Sequence, residues 1–135
     1  MPTLLHSPLP SDAASSWRWR GLHGSARALA LAEAVGADTR PWVFVAADTR
    51  ELERLAGELR FFGGRGLEIL TLPDWEVLPY DVFSPHPDIV SERLRTLSLL
   101  PQLTRGILLL SADSLLTRLP PAAGAAARWR AALRS

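Results

Sequence analysis

Short runs of uninterrupted apolar residues alternate along this chain with segments of helical periodicity. The runs cover residues 42–46 and 107–110, and continuous β-rich stretches of this kind are typical of strands buried on both faces of a parallel sheet. Residues 67–72 are a further strand candidate. Residues 17–20 alternate large apolar and charged side chains, which favours a further short strand. Parallel strands need crossover connections, which place helices on both faces of the sheet. The sequence therefore predicts a three-layer α/β domain with a parallel sheet of about four strands.

Four segments between and after these runs have the pattern of helices. Residues 26–35 are strong helix formers, with Ser25 placed to cap them and Gly36 placed to end them. The later helices are predicted to begin at Asp48 or Thr49, at Asp88 and at Asp113, and to end at Gly63-Gly64, at Pro101 and at Pro120-Pro121. The residues predicted to face inward are Leu52, Leu55, Leu59 and Phe62 in the second helix and Ile89, Leu94, Leu97 and Leu100 in the third.

The length of the chain, 135 residues with 47% hydrophobic side chains, fits one compact domain. We predict a flexible lead over residues 1–16, one domain over residues 17–121, and a tail or the start of a following domain over residues 122–135. The lead has no basic segment, and the apolar runs are far shorter than the roughly 20 residues of a membrane-spanning helix. We therefore expect a cytoplasmic protein with no membrane partner.

Cys and Lys are both absent from the chain, and each absence excludes a class of chemistry. Without Cys, the chain has no disulfide, thiolate metal site or catalytic cysteine. All 15 basic residues are Arg, so a Schiff-base lysine and the phosphate-binding lysine of a P-loop are excluded. The three histidines, His6, His23 and His86, belong to no metal-binding motif. We predict no catalytic residue, no metal site and no cofactor.

The turn before the first helix stands where parallel α/β domains usually hold phosphate, on backbone amides at a helix N-terminus. Compared with the pattern G-x-x-x-x-G-K-[ST], it keeps Gly21 but has Ala26 for the second glycine, Arg27 for the lysine and Ala28 for the Mg²⁺-binding hydroxyl. The degenerate loop consists of Gly21, Gly24, Ser25, Ala26, Arg27 and Ala28. Two interpretations remain open: a phosphate site that has lost its function, and an ordinary glycine turn that never bound a ligand.

Residues 72–94 form the most distinctive segment, because four prolines and three aromatic residues stiffen a long loop. Its characteristic residues are Asp74, Trp75, Pro79, Tyr80, Asp81, Ser84, Pro85, Asp88 and Arg93. The segment resembles the corresponding stretch of bacterial transcription-repair coupling factors (Mfd), whose N-terminal module is related to the excision-repair protein UvrB. The resemblance covers roughly residues 17–120 and is most specific over residues 74–94.

The resemblance implies a RecA-like fold, related to the P-loop NTPases, in which the first turn is degenerate. It also implies that the DNA-clamping hairpin of UvrB is absent, because only three residues separate Ser84 from Asp88. Full-length members of the family hydrolyse ATP and translocate on DNA through motor domains that are not in this chain. The chain is thus expected to be a non-catalytic structural and interaction module in transcription-coupled nucleotide excision repair. Its expected partners are neighbouring domains of the parent chain, with UvrA, RNA polymerase and DNA contacted through the full-length protein.

Two other functions remain open from the residues themselves. An active nucleotide-binding or DNA-stimulated ATPase domain would use the turn at residues 21–28. A DNA-binding module would use the Arg and Trp residues at positions 17–20 and 128–130, whose side chains suit stacking on bases and contact with phosphates. However, a net charge of +1 gives little long-range attraction to nucleic acid, and residues 17–20 also fit a strand edge with extended Arg side chains.

Overall fold

A computed structural model of the chain describes residues 16, 18–75 and 87–119. These residues contain one parallel sheet of three strands: β1 Pro41–Ala46, β2 Ile69–Leu72 and β3 Gly106–Ser111. The spatial order is β1-β3-β2, so that β3 is the central strand and pairs with both others. β3 is buried at every residue, as its continuous apolar run predicts.

Within the described residues, four α-helices accompany the sheet: α1 Ala26–Ala37, α2 Thr49–Gly63, α3 Pro87–Leu99 and α4 Ala112–Leu116. Short 3₁₀ turns follow α2 and α3, at Gly64–Gly66 and Leu100–Gln102. α2 begins as predicted, because the carboxylate of Asp48 accepts a hydrogen bond of 2.8 Å from the backbone N–H of Glu51. None of these helices is long and apolar enough to cross a membrane.

Alternate residues of β3 enter two different cores, because successive side chains of a strand point to opposite faces. On the face that we call the first face, the strand packs with α1 and α2. That core contains Ala28, Leu31, Ala32, Val35, Ala46, Leu52, Leu55, Ala56, Leu59, Ile107 and Leu109. On the opposite or second face, the core contains Leu70, Leu72, Leu97, Leu103, Leu108 and Leu110, with Leu97 supplied by α3. The described residues therefore form the predicted three-layer α/β arrangement.

A hydrogen-bonded carboxylate lies at the amino end of β1, and a close backbone approach lies at the amino end of β3. Before β1, the carboxylate of Asp38 accepts hydrogen bonds from the guanidinium and backbone N–H of Arg40 and from Nε1 of Trp42, at 2.8 to 3.1 Å for the closest contact of each donor group. These bonds, led by that from the Arg40 side chain, hold the pKa of Asp38 well below its usual value. β3 begins at Gly106, whose φ is 120°. A Cβ there would lie 2.4 Å from the carbonyl oxygen of Glu68, so this close approach requires glycine.

The predicted fourth strand is not formed in the part of the chain that the structure describes. Residues 18–20 have no strand pairing, and Trp17 lies outside the described residues. Trp19 instead packs against the first-face core, while Arg18 and Arg20 remain exposed. The alternating pattern thus corresponds to the partial burial of Trp19, and the described sheet has three strands where four were expected.

Several predicted helix details are also wrong. Gly36 lies inside α1, which continues to Ala37, because a single glycine in a helix costs only about 1 kcal/mol. Ser25 stands at the start of α1 but makes no capping hydrogen bond with its side chain. α3 begins at Pro87, so Asp88 lies in its first turn and is not its cap. α4 is capped by Ser111 and not by Asp113, because Oγ of Ser111 accepts a hydrogen bond from the next turn.

The inward faces of α2 and α3 differ in how well the sequence predicts them. Leu52, Leu55 and Leu59 are buried as predicted, whereas Phe62 is 36% exposed and forms an edge-to-face contact with Phe61. In α3 the fully buried residues are Arg93, Thr96 and Leu97. Of the four residues predicted to face inward there, the other three, Ile89, Leu94 and Leu100, are only half-buried. Arg93 is buried because the start of the loop that precedes α3 and the helix α4 supply partners for its guanidinium. Thr96 is buried because its hydroxyl donates a 2.6 Å hydrogen bond to the carbonyl oxygen of Thr71 in β2. The prolines at 120 and 121, the tail and residues 1–15 of the lead lie outside the described residues.

Candidate functional site at the carboxyl edge of the sheet

The predicted glycine turn before α1 is present. Gly21 and Gly24 have φ values of 74° and 54°, a region that glycine enters without steric cost. The backbone N–H of Ala26 donates to the carbonyl of His23 at 3.1 Å, which closes the turn onto the helix. The hydroxyl of Ser25 donates to Oε1 of Glu58 on α2 at 3.2 Å. The turn is therefore tied laterally to the neighbouring helix.

Arg27 stands at the position of the P-loop lysine, and its guanidinium is already paired. Nη1 donates to Oε1 of Glu51 on α2 at 2.5 Å, and the guanidinium carbon lies 5.7 Å from the centre of the Phe44 ring. The other carboxylate oxygen of Glu51 accepts a 2.7 Å hydrogen bond from the backbone N–H of Ala47. This backbone bond, followed by that from Arg27, lowers the pKa of Glu51. Glu51 thus receives an amide and a guanidinium, the two kinds of donor that a phosphate oxygen would need.

Ala28 occupies the position of the Mg²⁺-binding hydroxyl, but its side chain has no access to a ligand. It is fully buried, 0% exposed, in the first-face core. Because that core is apolar, a hydroxyl at this position would be buried beside α2 and β3 instead of facing an open turn. The turn therefore differs from a working phosphate loop in two ways: its cation is paired with Glu51, and the side chain of residue 28 lies in the core.

A second polar arrangement lies where the strands end at their carboxyl edge, and it is centred on Asp74. The carboxylate accepts three hydroxyl hydrogen bonds, of 2.5 Å from Thr49, 2.6 Å from Ser111 and 2.5 Å from Ser114. The donors come from the start of α2, the end of β3 and α4. We call Asp74, its three hydroxyl partners and Arg93 the Asp74 cluster. It joins the start of the proline-rich loop to three other elements.

Arg93 is the buried cation of the Asp74 cluster. Although charged, it is only 2% exposed, and its guanidinium carbon lies 4.4 Å from the centre of the Trp75 ring. Nη1 donates to the carbonyl oxygen of Pro73 and, at 3.1 Å, to Oγ of Ser114. Nη2 lies 3.5 Å from the hydroxyl of Thr117. Arg93 thus holds both Trp75 and the backbone at the start of the loop against α3 and α4.

The charges of Asp74 and Arg93 each affect the pKa of the other residue. Burial raises the pKa of Asp74, but the hydroxyl hydrogen bonds and the positive charge of Arg93 outweigh it, so that the pKa lies below its usual value. Burial lowers the pKa of Arg93, and the charge of Asp74 partly opposes this. Asp74 is therefore a carboxylate at neutral pH, and its lone pairs are directed at hydroxyl groups within the domain.

The motif residues of the proline-aromatic segment divide into two groups. Asp74 and Arg93 belong to the Asp74 cluster and Trp75 packs against Arg93, whereas Asp88 lies apart on the exposed side of α3. Pro79, Tyr80, Asp81, Ser84 and Pro85 lie outside the described residues, and the predicted absence of a hairpin there stays a prediction. Within the described ranges, no three His, Cys, Asp or Glu side chains group as a metal site would require.

Sequence reasoning missed Thr49, Ser111 and Ser114 as partners of Asp74, although a signal for them exists. Each lies just after the end of a predicted parallel strand or in the helix that follows one, and so does Asp74. Because the carboxyl ends of parallel strands meet at one edge, polar residues at those positions are neighbours in space. The sequence did not show that the hydroxyls would use this proximity to bind a carboxylate.

The architecture of the described residues defines a class of protein. The described part is an α/β domain with a parallel sheet and helices on both faces, consistent with a RecA-like or UvrB-like domain of three strands. Its glycine turn leads into a helix at the expected place, but Ser25 and Arg27 there pair with carboxylates of α2.

Comparison with known proteins agrees with the resemblance drawn from the sequence. The chain is 38% identical over 121 residues to the transcription-repair-coupling factor of Escherichia coli (strain K12), 41% over 96 residues to that of Haemophilus influenzae, and 46% over 93 residues to that of Myxococcus xanthus. The alignments cover 90%, 71% and 65% of this chain, but only 10%, 8% and 8% of the relatives. No protein-family model matches the chain. The chain belongs to the transcription-repair coupling factor family, of which it matches one segment.

Proposed function

We propose that the chain is a non-catalytic structural and interaction module of a transcription-repair coupling factor, acting in transcription-coupled nucleotide excision repair. The proposal depends mainly on the internal pairing of the degenerate turn. Ser25 and Arg27 contact Glu58 and Glu51 of α2, and these carboxylates take the donors that would otherwise face a phosphate. The burial of Ala28 supports the same conclusion, since it leaves no hydroxyl to hold Mg²⁺.

In this proposal the chain works in the cytoplasm by docking on neighbouring domains of its parent protein. The parent would link stalled RNA polymerase to the recruitment of UvrA, and would contact DNA through its motor domains. The similarity to three coupling factors supports this assignment, since the segments it matches are parts of much longer proteins. The Asp74 cluster would serve as the internal support that keeps the domain's loops in one arrangement for docking.

Titration with Mg²⁺-ATP in a calorimeter tests the non-catalytic part of the proposal. We expect no binding in the micromolar range and no ATP hydrolysis by the chain. The matched variant Glu51→Gln removes the charge that pairs with Arg27. If this variant also fails to bind Mg²⁺-ATP, the turn is unsuited to phosphate even when Arg27 is released. Micromolar, Mg²⁺-dependent binding that is lost in Arg27→Ala would instead establish a nucleotide-binding domain.

Binding to duplex DNA tests the remaining alternative. We expect no affinity in fluorescence anisotropy at either 50 or 200 mM salt, because salt concentrations of this order separate phosphate contacts from other interactions. An affinity that is measurable at low salt and falls steeply as salt rises would favour a DNA-binding module.

The interaction role is best tested in a full-length coupling factor that carries the substitution corresponding to Arg93→Ala. We expect weaker recruitment of UvrA to stalled RNA polymerase, with the ATPase rate of the motor domains unchanged. The counterpart of Arg95→Ala is the matched control, because Arg95 lies on the exposed side of the same helix. Unchanged recruitment by the Arg93 variant would contradict a supporting role for this module.

A further inference from the structure

A pocket of about 350 Å³ opens at the amino edge of the sheet, opposite the edge that carries the glycine turn and the Asp74 cluster. We call it the amino-edge pocket. It lies where α1 and α2 end and where β2 and β3 begin. Its wall includes four glycines and two residues of opposite charge: Gly36, Gly63, Gly66, Gly106, Glu68 and Arg105. Ligand pockets in proteins typically measure about 300 to 1,000 Å³, so this pocket has the size of a small-molecule site.

The glycines of the wall differ in how much space surrounds them. At Gly63, a Cβ would lie 2.4 Å from Cδ2 of Leu67, so the wall is tightly packed there. A Cβ on Gly36 or Gly66 would meet no atom within 4 Å. Because both of these residues line the pocket, they border space that a ligand can occupy.

Arg105 presents a fixed guanidinium to the amino-edge pocket. Its Nη2 donates a hydrogen bond to the carbonyl oxygen of Gly36, in the last turn of α1. The end of a helix favours a cation, because the last carbonyl groups carry partial negative charge. The remaining N–H groups of this guanidinium have no partner in the part of the chain that the structure describes. Arg105 is therefore held in place and can still donate hydrogen bonds to a carboxylate.

Glu68 is the anionic residue of the amino-edge pocket. It forms no ion pair with Arg105, although both residues line the same space. Among the described residues, its carboxylate has no hydrogen-bond partner. Opposite charges that line one pocket without contacting each other fit a ligand that carries both an anionic and a cationic group.

The remaining lining residues, Ala32 and Leu67, are apolar. Ala32 is buried and Leu67 is half-buried, so both offer a hydrophobic surface inside the pocket. The volume equals that of about a dozen water molecules at about 30 Å³ each, which is enough for a ligand of about ten non-hydrogen atoms. Size, charge and apolar surface together match an α-amino acid with an aliphatic side chain.

We propose that the amino-edge pocket binds a free aliphatic α-amino acid. Arg105 receives the carboxylate, Glu68 receives the ammonium group, and the aliphatic side chain packs on Leu67. The proposal does not rest on the function proposed above, since it concerns the edge of the sheet that the degenerate turn does not occupy.

NMR titration of the natural chain with L-leucine tests the proposal. We expect saturable shifts in the millimolar range for the backbone amide signals of Gly36, Gly66 and Gly106, with no shift for Gly57 on the exposed side of α2. Absence of saturable shifts would overturn the proposal.

Two analogues of leucine separate the two charges of the ligand. Leucinamide lacks the carboxylate and N-acetyl-leucine lacks the ammonium group. We expect each to bind at least about tenfold more weakly than leucine, because each loses hydrogen bonds between charged groups. Equal binding of N-acetyl-leucine would overturn the proposal, since a site that ignores the ammonium group recognises a carboxylate alone. These titrations use the natural chain, so they decide the question even if a variant fails to fold.

Charge variants test the two recognition residues. We expect Arg105→Gln and Glu68→Gln each to weaken leucine binding at least about tenfold. Arg65→Gln is the matched control, because Arg65 is exposed and adjoins the pocket in sequence without lining it. Equal binding by all three variants would contradict the assigned contacts.

A filling variant tests the pocket itself. Gly66→Leu places a side chain beside the open space, and we expect it to abolish leucine binding. Gly57→Leu is the matched control, because a Cβ on Gly57 also meets no atom within 4 Å but Gly57 does not line the pocket. Urea unfolding of both variants verifies that the fold is retained. Leucine binding by folded Gly66→Leu that equals binding by Gly57→Leu would place the ligand elsewhere and overturn the proposal.

Discussion

The Asp74 cluster and the turn at residues 21–28 both use charged side chains near the carboxyl ends of the strands, but they differ in burial. Arg93 is 2% exposed and has contacts with the loop, α4 and an aromatic ring. The side chains of Arg27 and Glu51 are 32% and 24% exposed, and their further contacts are with the Phe44 ring and the backbone N–H of Ala47. Buried charges depend on every partner they have, whereas exposed pairs are screened by water. The difference indicates that the cluster is a structural centre and the turn is a surface feature.

The largest effect is expected from Arg93→Ala. This substitution leaves the Asp74 carboxylate without its nearby positive charge and removes a buried side chain from beneath Trp75. Breaking a buried charged arrangement in this way costs about 3 to 5 kcal/mol. Urea unfolding should report this loss, while the control Arg95→Ala should stay within about 0.5 kcal/mol of the natural chain. Equal stability of the two variants would show that buried Arg93 contributes no more to the fold than an exposed arginine does.

A smaller loss is expected from Asp74→Asn. The amide is neutral and has one acceptor oxygen where the carboxylate has two. All three hydroxyls, of Thr49, Ser111 and Ser114, therefore lose a charged partner, and at least one of them faces an NH₂ group in place of an acceptor. We expect about 1 to 3 kcal/mol of destabilisation. Asp113→Asn, an exposed change in the first turn of α4, is the matched control. A stabilised Asp74→Asn variant would mean that desolvation of the carboxylate outweighs its hydrogen bonds.

The pH dependence of stability should sharpen the same contrast. The pKa of Asp74 is lower in the folded chain than in the unfolded chain, where it is about 3.9. Its contribution to stability is therefore complete above that unfolded value and is lost as the pH falls through the folded pKa. We expect the stability difference between the natural chain and Asp74→Asn to shrink between neutral pH and strongly acidic solution, as measured by urea midpoints across the range. Asp38 and Glu51 shift in the same direction and contribute equally to both proteins. A difference that grew on acidification would show that the sign of the shift is wrong.

The smallest effect is expected from Arg27→Ala in the turn. The variant loses one ion pair and a contact with the Phe44 ring, and partly exposed ion pairs contribute less than about 1 kcal/mol. Arg50→Ala, an exposed change in the first turn of α2, is the control. Thermal unfolding in low and high salt would measure the difference, which should decrease as salt screens the pair. A loss as large as that of Arg93→Ala would mean that the turn supports the fold as much as the cluster does.

Residues whose burial follows from periodicity were predicted well. The strand at residues 107–110 lies within β3, and Leu52, Leu55 and Leu59 face the core of α2 as predicted. The glycine turn before α1 also follows from local chemistry, since Gly21 and Gly24 both adopt positive φ. In these cases the structure follows from residues that are close together in the sequence.

The burial of Arg93 could not be predicted in the same way. A charged residue on a helix is normally expected to face water, because its desolvation is costly. Arg93 becomes buried only because Trp75, Pro73 and Ser114 converge on it from other elements. The resemblance to coupling factors had singled out Arg93 and Asp74, but not the contacts between them and the hydroxyls.

The sequence by itself determined the α/β class, the positions of three strands and the loss of the phosphate-loop residues, since each of these depends on the order and type of neighbouring residues. Only the tertiary structure decided that Arg27 and Ser25 pair with α2, that Ala28 enters the core, and that Asp74 binds three hydroxyls. These contacts join residues about 24 to 40 positions apart. They form because the parallel crossovers bring the carboxyl ends of the strands to one edge, which no local pattern encodes.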